Sequence, residues 1–284
     1  MPHVAIVTDS ASDLDPSSAA ALGIVLVPLI AIFGETEYLA GVDLTAREFW
    51  DRLTAPGAPF PRTAAASAGS FQAAFEQCFR DGAAAIVCVT VADTLSATYK
   101  SAAMARDALP HREIHLVDSW GASMVEGVLA EIGVEMAGRG ASAAEIASEL
   151  RRRVPDTHLF VALDTLEYLV RGGRIGRARA MVGALLSTKP ILTVKDGVVE
   201  LVDRPRTRSK ARQRIIEIMT AHPVERIALL HTPAMTDVDA FGAELASAAG
   251  VDQVTMRPQI IGPSIGPHVG PGAYGGVVLW RHQE

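Results

Sequence analysis

The chain has 284 residues, 49% of them hydrophobic and 20% charged, with a formal charge of −6, a balance that suits a folded globular protein and excludes a disordered one. The net negative charge argues against a general nucleic-acid binder, and the longest apolar run, IVLVPLIAIF at 24–33, is too short to cross a bilayer. The opening MPHVAIVTDS has no basic segment ahead of an apolar one, so no export signal is expected and the expected location is the cytoplasm.

In chain order, HVAIVT (3–8), AAAIVCVTV (83–91), EIHLV (113–117), THLFVAL (157–163), ERIALLH (225–231) and GGVVLW (275–280) read as strands separated by helical patterns. Capping boxes at Thr45-x-x-Glu48, Ser142-x-x-Glu145 and Asp164-x-x-Glu167 mark helix starts, and Phe71, Phe75, Cys78 and Phe79 fall on one helical stripe. This alternation predicts an α/β fold whose N-terminal sheet is mostly parallel and carries helices on both faces. In residues 190–203, Asp196-Gly197 sits between two alternating runs and predicts a hairpin, so the C-terminal half is expected to be a mixed α/β domain. The stretch from Gly138 to Pro155 is the expected junction, giving domains 1–155 and 156–284 with a soft boundary that strands can cross. Cys78 and Cys88 lie in a helix and a strand, belong to no metal spacing, and read as buried thiols.

Ligands of such sheets sit beyond the carboxyl ends of the strands. Those positions hold Thr8-Asp9-Ser10-Ala11-Ser12-Asp13, Thr90, Leu95-Ser96-Ala97-Thr98-Tyr99 and Asp118-Ser119. Each alone is an ordinary helix cap; several around one cleft point to a site. Neither a G-x-x-x-x-G-K-[ST] loop nor a G-x-G-x-x-G loop after a strand is present, so no nucleotide cofactor is expected, and no metal. Gly172-Gly173 reads as a helix C-cap with Arg171, Arg174 and Arg177 on the surface. In RPRTRSKARQR, residues 204–214, a basic residue recurs at every second position of an otherwise acidic protein.

The segment IGPSIGPHVGPGAYGG (261–276) contains Gly262-x-Ser264-x-Gly266, the pattern of a serine hydrolase elbow. The glycines and prolines after Ser264 leave no room for the supporting helix, so an esterase using Ser264 or Ser96 with His268 stands as the alternative reading. The favoured reading is a stiff loop that presents His268, whose imidazole titrates near neutral pH and can donate a hydrogen bond to an anion.

Taken in order, TDSASDL (8–14), TAAASAGSF (63–71), LSATYKSA (95–102), VDS (117–119), LEYLVRGGRIG (166–176), KPILTVKDG (189–197), RTRSKA (206–211) and IGPSIGPHVGPGAYG (261–275) resemble the DegV family along nearly the whole chain. The resemblance implies a two-domain α/β fold with a long-chain fatty acid, such as palmitate, in a tunnel between the domains. It implies that Thr63, Ser96 and His268 hold the carboxylate. It further implies a non-catalytic, lipid-carrying subunit that presents the carboxylate to a separate ATP-dependent fatty acid kinase, with the acid as ligand and no cofactor. Arg174, Arg204, Arg206, Arg208 and Lys210 fit the docking face for that partner. Two departures stand out: Ala64-Ala65-Ala66 where the family has Ser-Gln-Pro, and Ala97 where it has glycine.

Overall fold

The computed structural model describes residues 3–177, 188–251 and 258–281. The chain enters through β1 (Val4–Asp9), turns into α1 (Pro16–Leu22), which Asp15 caps, and returns as β2 (Ile24–Val27). Pro28 then interrupts the apolar run, because a residue without an N–H cannot continue a ladder. The remainder becomes β3 (Ile30–Phe33), which pairs with β4 (Thr36–Leu39) and, after α2 (Ala46–Leu53), with β5 (Arg62–Ala64) in a small antiparallel sheet that the sequence pattern did not suggest. Next come α3 (Ala68–Arg80), β6 (Ala85–Thr90), α4 (Thr98–Asp107), β7 (Glu113–Asp118), α5 (Met124–Gly138) and α6 (Ala143–Arg153).

The first sheet has the order β2-β1-β6-β7 and is parallel throughout. Its side chains alternate between two cores. Ile6, Val87 and Val117 face Val128, Leu129 and Ile146 of α5 and α6, while Val7, Ile86 and Leu116 face Phe71, Phe75 and Ala102 of α3 and α4. Helices therefore cover both faces, as the alternation predicted.

The rest of the chain supplies β8 (Thr157–Ala162), α7 (Glu167–Arg171), β9 (Ile191–Lys195), β10 (Val198–Asp203), α8 (Arg208–Met219), β11 (Val224–His231), α9 (Val238–Ala249), β12 (Pro258–Ile260), α10 (Gly266–Val269) and β13 (Tyr274–Trp280). Six strands form a mixed sheet in the order β10-β9-β8-β13-β11-β12, with β11 and β12 parallel and the other pairs antiparallel. Asp196 and Gly197, at φ 50° and 73°, make the expected two-residue hairpin turn. One face packs Phe160, Leu229 and Val278 against Ile215 of α8 and Phe241 of α9. The other turns Leu159, Val161, Ala228 and Val277 towards the core that α5 shares with the first sheet. A helix buried from Met124 to Gly133 on nearly every side is largely apolar, Glu126 apart, because it has a sheet on each flank.

Two of the three expected capping boxes form, at Thr45/Glu48 and Ser142/Glu145. Asp164 does not cap: α7 begins at Glu167, and the Asp164 carboxylate accepts from Lys189 Nζ at 2.8 Å and Arg208 Nη2 at 2.8 Å. Two cations brought in by the tertiary fold displace a local amide.

A buried carboxyl cluster ties the carboxyl end of β1 to the loop that carries His268. Asp9 accepts from the amides of Ala11 (2.8 Å) and Val91 (3.0 Å), and Asp13, in a left-handed conformation, accepts from the Gly262 amide (2.8 Å) and the Ser123 hydroxyl (2.5 Å). Burial raises Asp9 to about 6 and Asp13 to about 7, and pushes Glu126 of α5 well above the carboxylate range. Folded Asp13 thus keeps a proton that the unfolded chain releases near 3.8, and the stability this provides is lost as pH rises from about 4 to about 7. An Asp13→Asn variant cannot ionise. In urea titrations from pH 4.5 to 8, wild-type stability relative to the variant should fall, by up to roughly 3 kcal/mol; a difference independent of pH would contradict the assignment.

Candidate functional site

The space between the carboxyl ends of the first sheet and the inner face of the second is not filled by side chains. It is a cavity of about 110 Å³ that opens to the surface. Ala11, Val91, Leu95 and Ala122 line it from the first sheet's loops, and Leu159, Val161, Leu192, Val194 and Val199 from the second sheet. This wall is almost wholly aliphatic. The polar exceptions include Thr63, Ser96, Arg174, Ser264 and His268.

Thr63 lies on β5, held in place by pairing with Ala31 of β3. His268 arrives on the loop from Ile261 onward, and its Nε2 is 3.0 Å from Thr63 Oγ1. Contrary to the reading of that segment as helix-free, a single turn, α10, begins at Gly266 two residues after Ser264. Pro267 is tolerated in its first turn, where a missing N–H costs nothing, and Gly270 at φ 71° ends it. Close approach explains Gly172: a Cβ there would stand 2.5 Å from His268 Nδ1. Burial, then the charge of Arg174, lowers the His268 pKa to about 4, so at neutral pH the ring is uncharged and does not titrate near 7 as a free imidazole would.

Ser96 follows β6 and shares its hydroxyl with Thr98 Oγ1 at 2.7 Å, just ahead of α4. Ala97, where the family has glycine, takes φ −71° and ψ 2°, which any residue adopts without strain. Ala64 and Ala65 line the cavity and Ala66 is buried, so the second departure replaces polar groups with more aliphatic wall.

Arg174 is only half-exposed. Beyond α7 the turn at Gly172-Gly173 carries it inward, where Nε donates to the Leu95 carbonyl (3.2 Å) and Nη1 to the Gly172 carbonyl (2.7 Å), beside Ser96 and His268. Part-buried carbonyls at chain turns are satisfied by such a donor, which favours the inward course. No sequence spacing signals it. Arg204, Arg206 and Lys210 are exposed, whereas Arg208 is tied to Asp164. Residues 178–183 of the arginine-containing segment 166–183 lie outside the described residues.

The serine–histidine arrangement of a hydrolase is not assembled among the described residues. Ser264 Oγ pairs with Ser10 Oγ at 2.9 Å, and that hydroxyl in turn accepts from the Leu29 amide; Ser96 pairs with Thr98. His268 bonds Thr63 and neither serine. Among the described residues, no group of three metal-ligating side chains could hold an ion, and no helix is long and apolar enough to cross a membrane.

The family model of uncharacterised DegV proteins matches residues 3–281. A DegV domain-containing protein of Caldanaerobacter subterraneus subsp. tengcongensis is 33% identical over 279 residues, covering 97% of this chain and 98% of that one. Among solved structures, a DegV family protein of Thermus thermophilus described for its fatty acid binding superposes with a TM-score of 0.89 at 32% identity, covering 98% of this chain and all of that one. DegV of Bacillus subtilis, described as a fatty acid binding protein, gives a TM-score of 0.86 at 26% identity, with 98% and 99% covered. A stearic acid-binding protein of Eubacterium ventriosum gives 0.86 at 28%, with 98% of each chain covered. With the matched segment spanning nearly every residue and the same architecture in each neighbour, the chain belongs to the DegV family.

Proposed function

We propose that this protein binds a long-chain fatty acid in the cavity between its two sheets and presents the carboxylate to a separate ATP-dependent kinase. The observation that carries the reading is the Thr63–His268 pair, 3.0 Å apart, in a cavity whose remaining wall is largely aliphatic. Fatty acid binding by the Thermus, Bacillus and Eubacterium relatives supports it. The fourteen methylenes of a sixteen-carbon acid are worth ~11 kcal/mol at ~0.8 kcal/mol each, before association costs. The tail therefore supplies affinity and the head supplies orientation.

At the head, the Thr63 and Ser96 hydroxyls donate to the carboxylate, and the neutral His268 ring, donating from Nε2 to Thr63 Oγ1, turns the Thr63 proton towards it. Arg174, fixed by two backbone carbonyls, places a permanent positive charge beside it, so the acid binds ionised. In this reading the chain orients and does not transfer phosphate: ATP, its metal and the phosphate cradle come from the partner. Arg204, Arg206 and Lys210 form the docking face in this reading, because their side chains are exposed and enter no ion pair among the described residues; Arg208 contributes through its position beside Asp164 and Gly272. We divide the chain into domains 1–155 and 156–284, with the acid between them and α5 packed on both, and place it in the cytoplasm.

Extraction of the purified protein into organic solvent and mass spectrometry should return a long-chain acid, or added palmitate should bind; neither would overturn the reading. Covalent labelling of Ser264 or Ser96 by a fluorophosphonate would favour an esterase instead. His268→Ala should weaken acid binding only modestly, by ~1–2 kcal/mol, while acyl-phosphate formation with a cognate kinase falls by a far larger factor. Equal losses in both would contradict a presenting role. Converting Arg204, Arg206 and Lys210 together to Glu should leave palmitate affinity unchanged and slow phosphorylation at least about tenfold, with the wild-type rate falling as salt rises.

A further inference from the structure

The β9–β10 hairpin is paired to itself along its length but to the rest of its sheet only at its base. Its ladder with β8 holds two residue pairs, Val161↔Leu192 and Ala162↔Ile191, while β9 and β10 remain in register out to Lys195↔Val198. Residues 193–199 thus extend past the last partner on β8. The gap is the cavity itself: Leu159 and Val161 of β8 line one side, Val194 and Val199 of the hairpin the other. Arg177 pairs with Glu200 near the root of this outer half, and its far end is held at the tip. The Gly197 amide donates to the Trp120 carbonyl (3.2 Å), and the Gly197 carbonyl accepts from Thr94 Oγ1 (2.5 Å), so both contacts cross from the second sheet to loops of the first.

The geometry on both sides of this contact is specialised. Gly197 lies under Thr94 so closely that a Cβ would stand 2.2 Å from Oγ1, at φ 73°. Trp120 takes φ 52°, a left-handed conformation that a bulky aromatic residue rarely adopts, while the residue is 48% exposed. The Asp118 carboxylate holds the Trp120 amide at 3.0 Å, and the carbonyl of this strained residue is the one that meets the hairpin.

We propose that the outer half of the β9–β10 hairpin is the gate through which the acyl chain enters and leaves, with Thr94 and the Trp120 carbonyl as its latch. The proposal rests on the fatty-acid reading. A chain bound along an aliphatic cavity can exchange only if a wall of that cavity opens. Among the described residues, this wall combines a strand pair missing its sheet partner with a two-bond fastening at the far end. Swinging the tip away breaks those two bonds and leaves the ladder of the hairpin and its two base pairs with β8 intact. Leu95 and Ser96 directly follow Thr94, so opening also exposes the head-group end.

A cysteine pair tests this, Thr94→Cys with Gly197→Cys. The Cβ positions are 3.3 Å apart, slightly short of the usual disulfide spacing of roughly 3.5–4.5 Å, so a small opening of the tip lets the bond form, and the native thiols Cys78 and Cys88 are buried away from oxidant. The double variant, oxidised with glutathione disulfide, is loaded with cis-parinaric acid and chased with excess palmitate. Release should be at least about tenfold slower than from the same protein reduced with dithiothreitol. Thr94→Val, which removes one latch bond without a new strain, should speed both uptake and release about threefold or more with little change in Kd, and it decides the question alone should the pair not fold. Equal release from oxidised and reduced protein, or wild-type exchange by Thr94→Val, overturns the gate while leaving fatty acid binding in place. Failure of the wild-type protein to take up either acid overturns the binding reading and the gate with it.

Discussion

The grip of the first sheet on the segment from Ile261 to Gly272 is the interaction on which the rest of this structure depends. The segment leaves β12 in the second sheet and crosses to the carboxyl end of β1. There Asp13 takes the Gly262 amide, Ser10 meets Ser264, the Trp50 indole donates to the Ile261 carbonyl at 2.7 Å, and the Phe49 ring closes on Gly266. Each contact is local, and together they fix the start of a one-turn helix whose third residue is His268. Without them the imidazole would have no fixed relation to Thr63, which sits on a strand of a different sheet.

A second constraint explains why a cavity exists at all. Helix α5 fills the space between the two sheets over much of their length, and its residues join both into one core. Beyond its N-terminus, at Ala122 and Ser123, the sheets still face each other but α5 no longer separates them. Loops from the first sheet and the free half of the β9–β10 hairpin line what remains. In the proposed reading an aliphatic guest completes the packing there in the way a helix does elsewhere, because burial of methylenes does not depend on whether they belong to the chain.

Electrostatics then separates the polar groups into two kinds. The carboxyls of Asp9, Asp13 and Glu126 are buried without cations, so burial raises all of them and favours their neutral forms. In the cavity wall the balance is reversed: His268 is held neutral and the fixed charge belongs to Arg174. An anionic head group entering there meets hydroxyls, an uncharged ring and one guanidinium. A free imidazole pKa was a poor guide to this position, since it carries no information about desolvation or about an arginine arriving from a distant turn.

Period and punctuation were readable in the amino-acid sequence: the six long strands, the Asp196-Gly197 hairpin, two capping boxes and the parallel first sheet all follow from interactions between near neighbours. Motif order along the chain pointed to Thr63, Ser96 and His268, and the fold brings all three to the wall of one cavity. What escaped were features set by distant partners. Asp164 abandoned its cap for Lys189 and Arg208, the short β3-β4-β5 sheet came from one apolar run divided at Pro28, and Arg174 turned inward to carbonyls that only the folded chain brings near. Local propensity is a sum over adjacent residues and can be read in one dimension. The meeting of Thr63 with a histidine 205 positions away, and the unpaired half-hairpin above them, depend on where packing left room.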